Sequence, residues 1–337
     1  MSVKTYTCKA LTDIWTGDAD GKPDRLITTG LLGSIRWWFE VLVRGLDGSA
    51  CDPTRDGIRC PDHRVDDPTK RGHHCVVCEL FGCTGWARKF RFEVLDGNGN
   101  VKVSQIKQGD TFKLRFLEIR RVEPEEWVLL DLTLRLIADY GAIGGKTVYK
   151  PSDESSRQHL PHHRDYGLIK IDGSPPLPSL EGDVEKTLRG YVDKNHWRKP
   201  DHDEFAWASL ENFWCVKSYH LARQDSNTST FNRVIGRPEP KNQSQGGDSW
   251  LAGRRARGGA SPQPAESKKV FSFKEPESAR RTFGFVESPD RLDQLGGELQ
   301  KSLAAHWPGF DPSDSRLFKR GLEILTAVIA ASWGVRS

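Results

Sequence analysis

Five of the chain's seven cysteines fall between residues 51 and 83, in the stretch CDPTRDGIRCPDHRVDDPTKRGHHCVVCELFGC. Cys75 and Cys78 have Cys-x-x-Cys spacing, the tight turn that brings two thiolates onto one metal ion. Cys51 and Cys60 lie upstream across a polar loop and could complete a four-ligand set. His63 and His73 compete for a place in it. His74 is disfavoured because its neighbour Cys75 already points at the metal, and Cys83, after Phe-Gly, suits packing. Such a set fits Zn2+. The expected role is structural: the ion would hold a polar insertion, residues 47–83, that has little core of its own. A loop of free, redox-sensitive thiols is the alternative. Clustered cysteines in a chain without an apolar signal core argue for metal binding in the cytoplasm rather than for a disulfide framework.

A second chemistry-bearing stretch is DYGAIGGKTVYKP, residues 139–151. Gly141, Gly144 and Gly145 would let the backbone approach a partner closely and leave N–H groups available, which suits phosphate. Lys146 and Lys150 add charge. GGKT is not a P-loop here. Only three residues separate Gly141 from Gly145, and the loop follows a helix pattern instead of a strand.

The elements that must position these residues are partly legible. Residues 3–10 alternate as a strand. In ITTGLLGSIRWWFEVLVRG (27–45), Leu31, Ile35, Trp38, Phe39 and Leu42 share one helical face, with Thr28 or Thr29 as cap. Arg36, Glu40 and Arg44 follow one another at i, i+4 spacing on another face. Residues 86–96 and 111–120 alternate as strands, with a DGNGN turn after the first. Residues 125–141 read as a helix ended by glycine, and 163–171 as a closing strand. The order β-α-(insert)-β-β-α-β is that of a ferredoxin-like, RRM-type α+β fold. Beyond a linker starting at 174–180, residues 211–222 suggest a strand and 315–334 an amphipathic helix. Residues 236–269, rich in Gly, Pro, Ser, Gln and Arg, suggest a mobile basic loop. The net charge of +4 excludes a polycation, and no run is long and apolar enough for a membrane span.

GLLGSIRWW at the start of the first helix, followed about 110 residues later by GAIGGKT, resembles the RAMP superfamily of CRISPR-associated RNA-binding proteins. CVVCELFGC resembles the Cys-x-x-Cys-x-Leu-Phe-Gly segment of several type III RAMP subunits. The doubled tryptophan after Gly-Ser-x-Arg is most similar to the subunit-one family of type III-B Cmr effector complexes. The resemblance covers about residues 5–170. It implies two ferredoxin-like (RRM-like) domains, 1–172 and 173–337, and a place in an assembly with guide RNA, target RNA and other effector subunits. Gly33, Ser34 and Arg36 correspond to the helix-entrance motif that lies against RNA backbone. Gly144, Gly145, Lys146, Thr147 and Lys150 correspond to the glycine-rich loop. Two features depart from the pattern: the 18 residues YKPSDESSRQHLPHHRDY before Gly167, and a cysteine insertion longer than subunit one carries.

Backbone subunits of that superfamily cut RNA through an aspartate before helix one, where this chain has Asp13, Asp18, Asp20 and Asp24. Subunit one is regarded as non-catalytic. The expectation is therefore an RNA-binding subunit contacting the guide RNA's 3′ region or the target, without turnover. One alternative is a metal-dependent endoribonuclease using Asp18, Asp20 or Asp24. Another is a zinc-stapled protein-interaction module whose WLAGRRARGG loop (250–259) binds acidic partners.

Overall fold

The computed structural model describes residues 2–17, 22, 24–52, 58–62, 67, 71–145, 151–158, 160–200, 205–225, 228–235, 250–253 and 266–333, with the side chains of 71 and 291–298 excepted. In chain order the elements are β1 (Val3–Ala10), α1 (Thr28–Arg44), α2 (Val76–Phe81), β2 (Phe90–Asp96), β3 (Thr111–Glu118), α3 (Pro124–Tyr140), β4 (Ile169–Gly173) and α4 (Val184–Val192), then β5 (Phe213–Lys217), α5 (Thr230–Val234), β6 (Val270–Phe273), β7 (Arg281–Phe285), α6 (Pro289–His306), β8 (Phe318–Arg320) and α7 (Gly321–Ser332). The fold is α+β, with two four-stranded antiparallel sheets. Two compact units are interleaved in sequence. The first comprises residues 1–146, 167–211 and 321–337, and the second 147–166 and 212–320. The boundary expected at 172/173 therefore falls inside the first unit, because β4, α4 and α7 all pack with it.

The first sheet has the order β2-β3-β1-β4. Its strands alternate as their sequences predict: Tyr6, Cys8 and Ala10 on β1, Phe112, Leu114 and Phe116 on β3, and Phe90, Phe92 and Val94 on β2 are all buried. The expected face of α1 (Leu31, Ile35, Trp38, Phe39, Leu42) is likewise buried. Two local expectations change. Neither Thr28 nor Thr29 caps α1; Ile27 is the N-cap, and its N–H donates to Thr16 Oγ1 at 2.9 Å. Gly141 ends α3 in extended rather than left-handed backbone, at φ −112°. Glycine is needed there because a Cβ would lie 2.5 Å from the Trp38 ring. The start of α3 is set by Pro124 and a reciprocal cap between Glu123 and Glu126.

The second sheet has the order β6-β7-β5-β8, with α5 after its first strand and α6 after its third. Its serial pattern is that of the first sheet, strand for strand. The core gathers Trp214, Val216, Phe231, Val270, Leu303 and Phe318. Four helices went unread in the sequence: α2, α4, α5 and α6. α4 is short and buries only Leu188, Tyr191 and Val192, though Asp183 caps it by accepting from Lys186 N–H. α6 runs through Gly296-Gly297, which reads as a break. The terminal helix is shorter than its pattern, since Phe318–Arg320 pair with β5 instead. Among the described residues no helix is long and apolar enough to cross a membrane.

Candidate functional site

Cys51, Cys60, Cys75 and Cys78 converge in the first unit. All four are buried, and their Sγ atoms lie within 4.8 Å of one another. Cys51 and Cys78 approach to 3.5 Å, and no disulfide forms. Ligands 2.3 Å from a tetrahedral ion stand about 3.8 Å apart, so the spacing suits such an ion. Cys75 is the N-cap of α2 and Cys78 lies in its first turn, which is how the Cys-x-x-Cys pair is aimed.

Two arginines face this cluster. Arg36 Nη2 lies 3.2 Å from Cys78 Sγ and 3.9 Å from Cys51 Sγ, Nη1 donates to the Gly82 carbonyl at 3.0 Å, and Nε pairs with Glu40 at 2.9 Å. Arg198 Nη1 lies 3.4 Å from Cys60 Sγ and also donates to the carbonyls of Ile58 and Arg59. The Cys75 N–H donates to Cys60 Sγ at 3.3 Å. Burial works against the Arg36 charge, but Cys78 and Glu40 outweigh it and raise the pKa. Burial pushes Glu40 up to about 7 against the pull of Arg36 and Arg44. Hydrogen bonding from Cys51, then from Cys75 and Cys78, pulls the Cys60 thiol down. The donor set is thus four sulfurs with cationic compensation, which fits a thiophilic divalent ion and can hold one. Of the reserve ligands, His63 lies outside the described residues. His73 Nδ1 sits against the Asp67 carbonyl, and His74 packs on Trp86.

The two glycine motifs also meet. The Gly144 N–H donates to Ser34 Oγ at 3.0 Å, across 110 residues of sequence, and the Gly145 N–H donates to the Trp15 carbonyl at 2.8 Å. Gly144 has φ +114°, and a Cβ there would lie 2.8 Å from the Trp15 carbonyl oxygen. These N–H groups were expected to be available to phosphate; they are instead engaged within the fold, closing the junction of β1, α1 and α3. Trp38 Nε1 donates to the Ala142 carbonyl at 2.9 Å, so the second tryptophan of the pair is core. Gly33 is exposed, and a Cβ placed on it would meet no atom within 4 Å, which leaves that face of α1 open to a partner. Arg36 points away from it into the cysteine cluster. Lys146, Thr147 and Lys150 lie outside the described residues, as do Asp18 and Asp20; Asp24 is exposed.

A groove of about 310 Å³ at the start of α1 was missed in the sequence. It is lined by Thr28, Thr29, Leu32, Arg88, Arg91 and Phe92 among others. Arg91 is 68% exposed and paired with Glu93 at 2.9 Å. The signal was the alternation in WARKFRF, which sends Phe90 and Phe92 inward and Arg91 outward.

Residues 7–149 match the family model of the RAMP superfamily. No curated protein matches the chain in sequence. Among solved structures, apo Cmr1 from Pyrococcus furiosus is similar over 86% of this chain and 89% of that one, at 12% identity and a TM-score of 0.42. A chain of the type III-B Cmr-beta complex, solved with cognate target RNA and AMPPnP in the presence of ssDNA, is similar over 90% of this chain and 99% of its own, at 10% identity and a TM-score of 0.48. The Csm3-Csm4 subcomplex of the type III-A CRISPR-Cas interference complex gives 17% identity over 50% of this chain and 74% of that one, with a TM-score of 0.25.

Proposed function

We propose, on the match of residues 7–149 to the RAMP superfamily model, that the chain is an RNA-binding subunit of a type III CRISPR effector complex, contacting guide RNA, target RNA or both beside other effector subunits. The observation that carries this reading is the Ser34–Gly144 hydrogen bond, which joins the helix-entrance motif and the glycine-rich loop into one junction. RNA backbone lies along the outer side of that junction, over Gly33 and the start of α1; the sequence adds Lys146, Thr147 and Lys150 as further contacts, outside the described residues. The dipole end of α1 and the cations Arg88 and Arg91 at the adjoining groove supply the attraction for phosphate. Arg36 acts indirectly, by tying α1 to the cysteine cluster. Each unit is read as ferredoxin-like, since βαββαβ with the fourth strand beside the first is that topology. The ion in the cysteine cluster is Zn2+, held by Cys51, Cys60, Cys75 and Cys78 in a structural role, because four protein ligands leave no open position for water.

Labelled single-stranded RNA in a gel series, with Mg2+ or EDTA, tests the reading. Bound, uncut RNA whose affinity falls steeply with salt supports it, and Arg88→Ala with Arg91→Ala is expected to lower affinity roughly tenfold. Mg2+-dependent fragments would transfer the function to the loop aspartates and to a nuclease. Absence of RNA binding by the chain and by its co-purified assembly would refute it.

A further inference from the structure

The second unit builds the same junction as the first and lines it differently. In the first, β1 leaves the sheet at Ala10, whose N–H donates to the carbonyl of Asp110, the residue before β3, at 2.9 Å. In the second, β5 leaves at Ser218, whose N–H donates to the carbonyl of Arg280, the residue before β7, at 2.8 Å. In both, the loop after the second helix returns to the segment after the first strand. Gly145 N–H bonds the Trp15 carbonyl in one, and Trp307 Nε1 bonds the His220 carbonyl at 2.7 Å in the other. In the first unit glycines close this junction. In the second it stays open as a pocket of about 280 Å³, lined by Tyr219, His220, Thr230, Arg280, His306 and Trp307 among others.

The lining has a definite chemistry. Arg280, His220 and His306 carry donors suited to an anion, although Arg280 Nε already donates to the Lys274 carbonyl at 3.2 Å and its Nη1 lies 3.6 Å from Glu277. His220 Nε2 lies 3.5 Å from Asp153, and Lys274 Nζ lies 2.8 Å from the same carboxylate. His220 and Lys274 together hold Asp153 at about 2, so it stays ionised and orients the imidazole. Tyr219 packs against Trp307 and Phe310 with ring centroids 5.2 and 5.3 Å away, which makes a stiff aromatic wall. Ser218 adopts φ +70°, a left-handed conformation that a non-glycine residue rarely takes without cause. That turn directs Tyr219 and His220 into the pocket. One guanidinium and two imidazoles beside an aromatic wall, in a space at the small end of ligand pockets, suit one nucleotide and not a duplex.

We infer that this pocket of the second unit takes a single nucleotide of a bound RNA strand, its phosphate on Arg280 and His306 and its base against Tyr219. The inference rests on the RNA-binding reading above. The test is photocrosslinking of the full chain to single-stranded RNA carrying 4-thiouridine, with mass-spectrometric mapping. Crosslinks are expected in residues 218–224 and 306–310. Arg280→Ala with His306→Ala should weaken binding at least about tenfold and lower the salt slope by about 1 to 2. The mapping uses the unaltered chain, so a misfolded variant cannot decide the matter. RNA bound with crosslinks confined to the first unit overturns the pocket and leaves the RNA reading standing. RNA bound neither by the chain nor by its co-purified assembly overturns both.

Discussion

Arg36 illustrates how a side chain's neighbours decide its work. Its i, i+4 spacing predicted an ion pair with Glu40, and the family resemblance implied a phosphate contact. The ion pair forms, but the rest of the guanidinium turns to Cys78, Cys51 and the Gly82 carbonyl. Four thiolates on a divalent ion carry two net negative charges, and in a buried site Arg36 and Arg198 offset them. Arg36→Ala with Arg198→Ala is therefore expected to weaken metal retention by roughly 10–100-fold, read by competition with a chromogenic chelator. Unchanged retention would mean that the arginines merely pack there. Gly144 tests the other junction. At φ +114°, with its Cβ position 2.8 Å from the Trp15 carbonyl oxygen, Gly144→Ala should cost about 1–3 kcal/mol in urea unfolding. The four cysteines and the glycines were legible because thiol spacing and glycine clustering are local signals. The second partners, Arg198 for Cys60 and Ser34 for Gly144, lie 138 and 110 residues away and have no local signature.

At the scale of elements, helices and strands with a strong period were legible and those without were not. α1 and β3 declare themselves through buried side chains at 3.6 and 2.0 spacing. α4, with three buried residues, and α6, with its glycine pair, depend on their surroundings. So does the buried ion cluster that ties α2, the start of β2 and α3 together. Lys89 Nζ sits 2.6 Å from Glu79 and 2.8 Å from Glu126, and all three residues are buried. Nothing in WARKFRF marks that lysine as different from its basic neighbours. Removing it leaves two carboxylates without their shared cation in a low-dielectric interior. Lys89→Ala is expected to destabilise the first unit by about 3–5 kcal/mol in denaturant unfolding. Glu126→Gln should cost less, since Lys89 keeps Glu79.

For the whole molecule, two compact units mean that unfolding need not be a single step. The first unit holds the cysteine cluster, so chelation should lower its transition selectively. The second unit has a lever of its own. Asp165 Oδ2 accepts the N–H groups of Lys274 and Glu275, each at 2.7 Å, while its Oδ1 is buried without a hydrogen-bond partner. Burial raises this carboxyl from 3.8 to about 7, although the two N–H bonds favour the ionised form. Between those values the folded state binds a proton that the unfolded chain has released. The contribution of Asp165 is therefore greatest below about pH 4, falls as pH rises to 7 and is level above. The fall amounts to roughly 2–4 kcal/mol. Asp165→Asn retains an oxygen to accept both N–H groups but cannot titrate. Urea unfolding from pH 4 to 8, followed through the second unit's tryptophans, should show wild type losing stability relative to the variant across this window. A constant offset between the two would mean that Asp165 is ionised throughout and that its unpartnered oxygen is solvated.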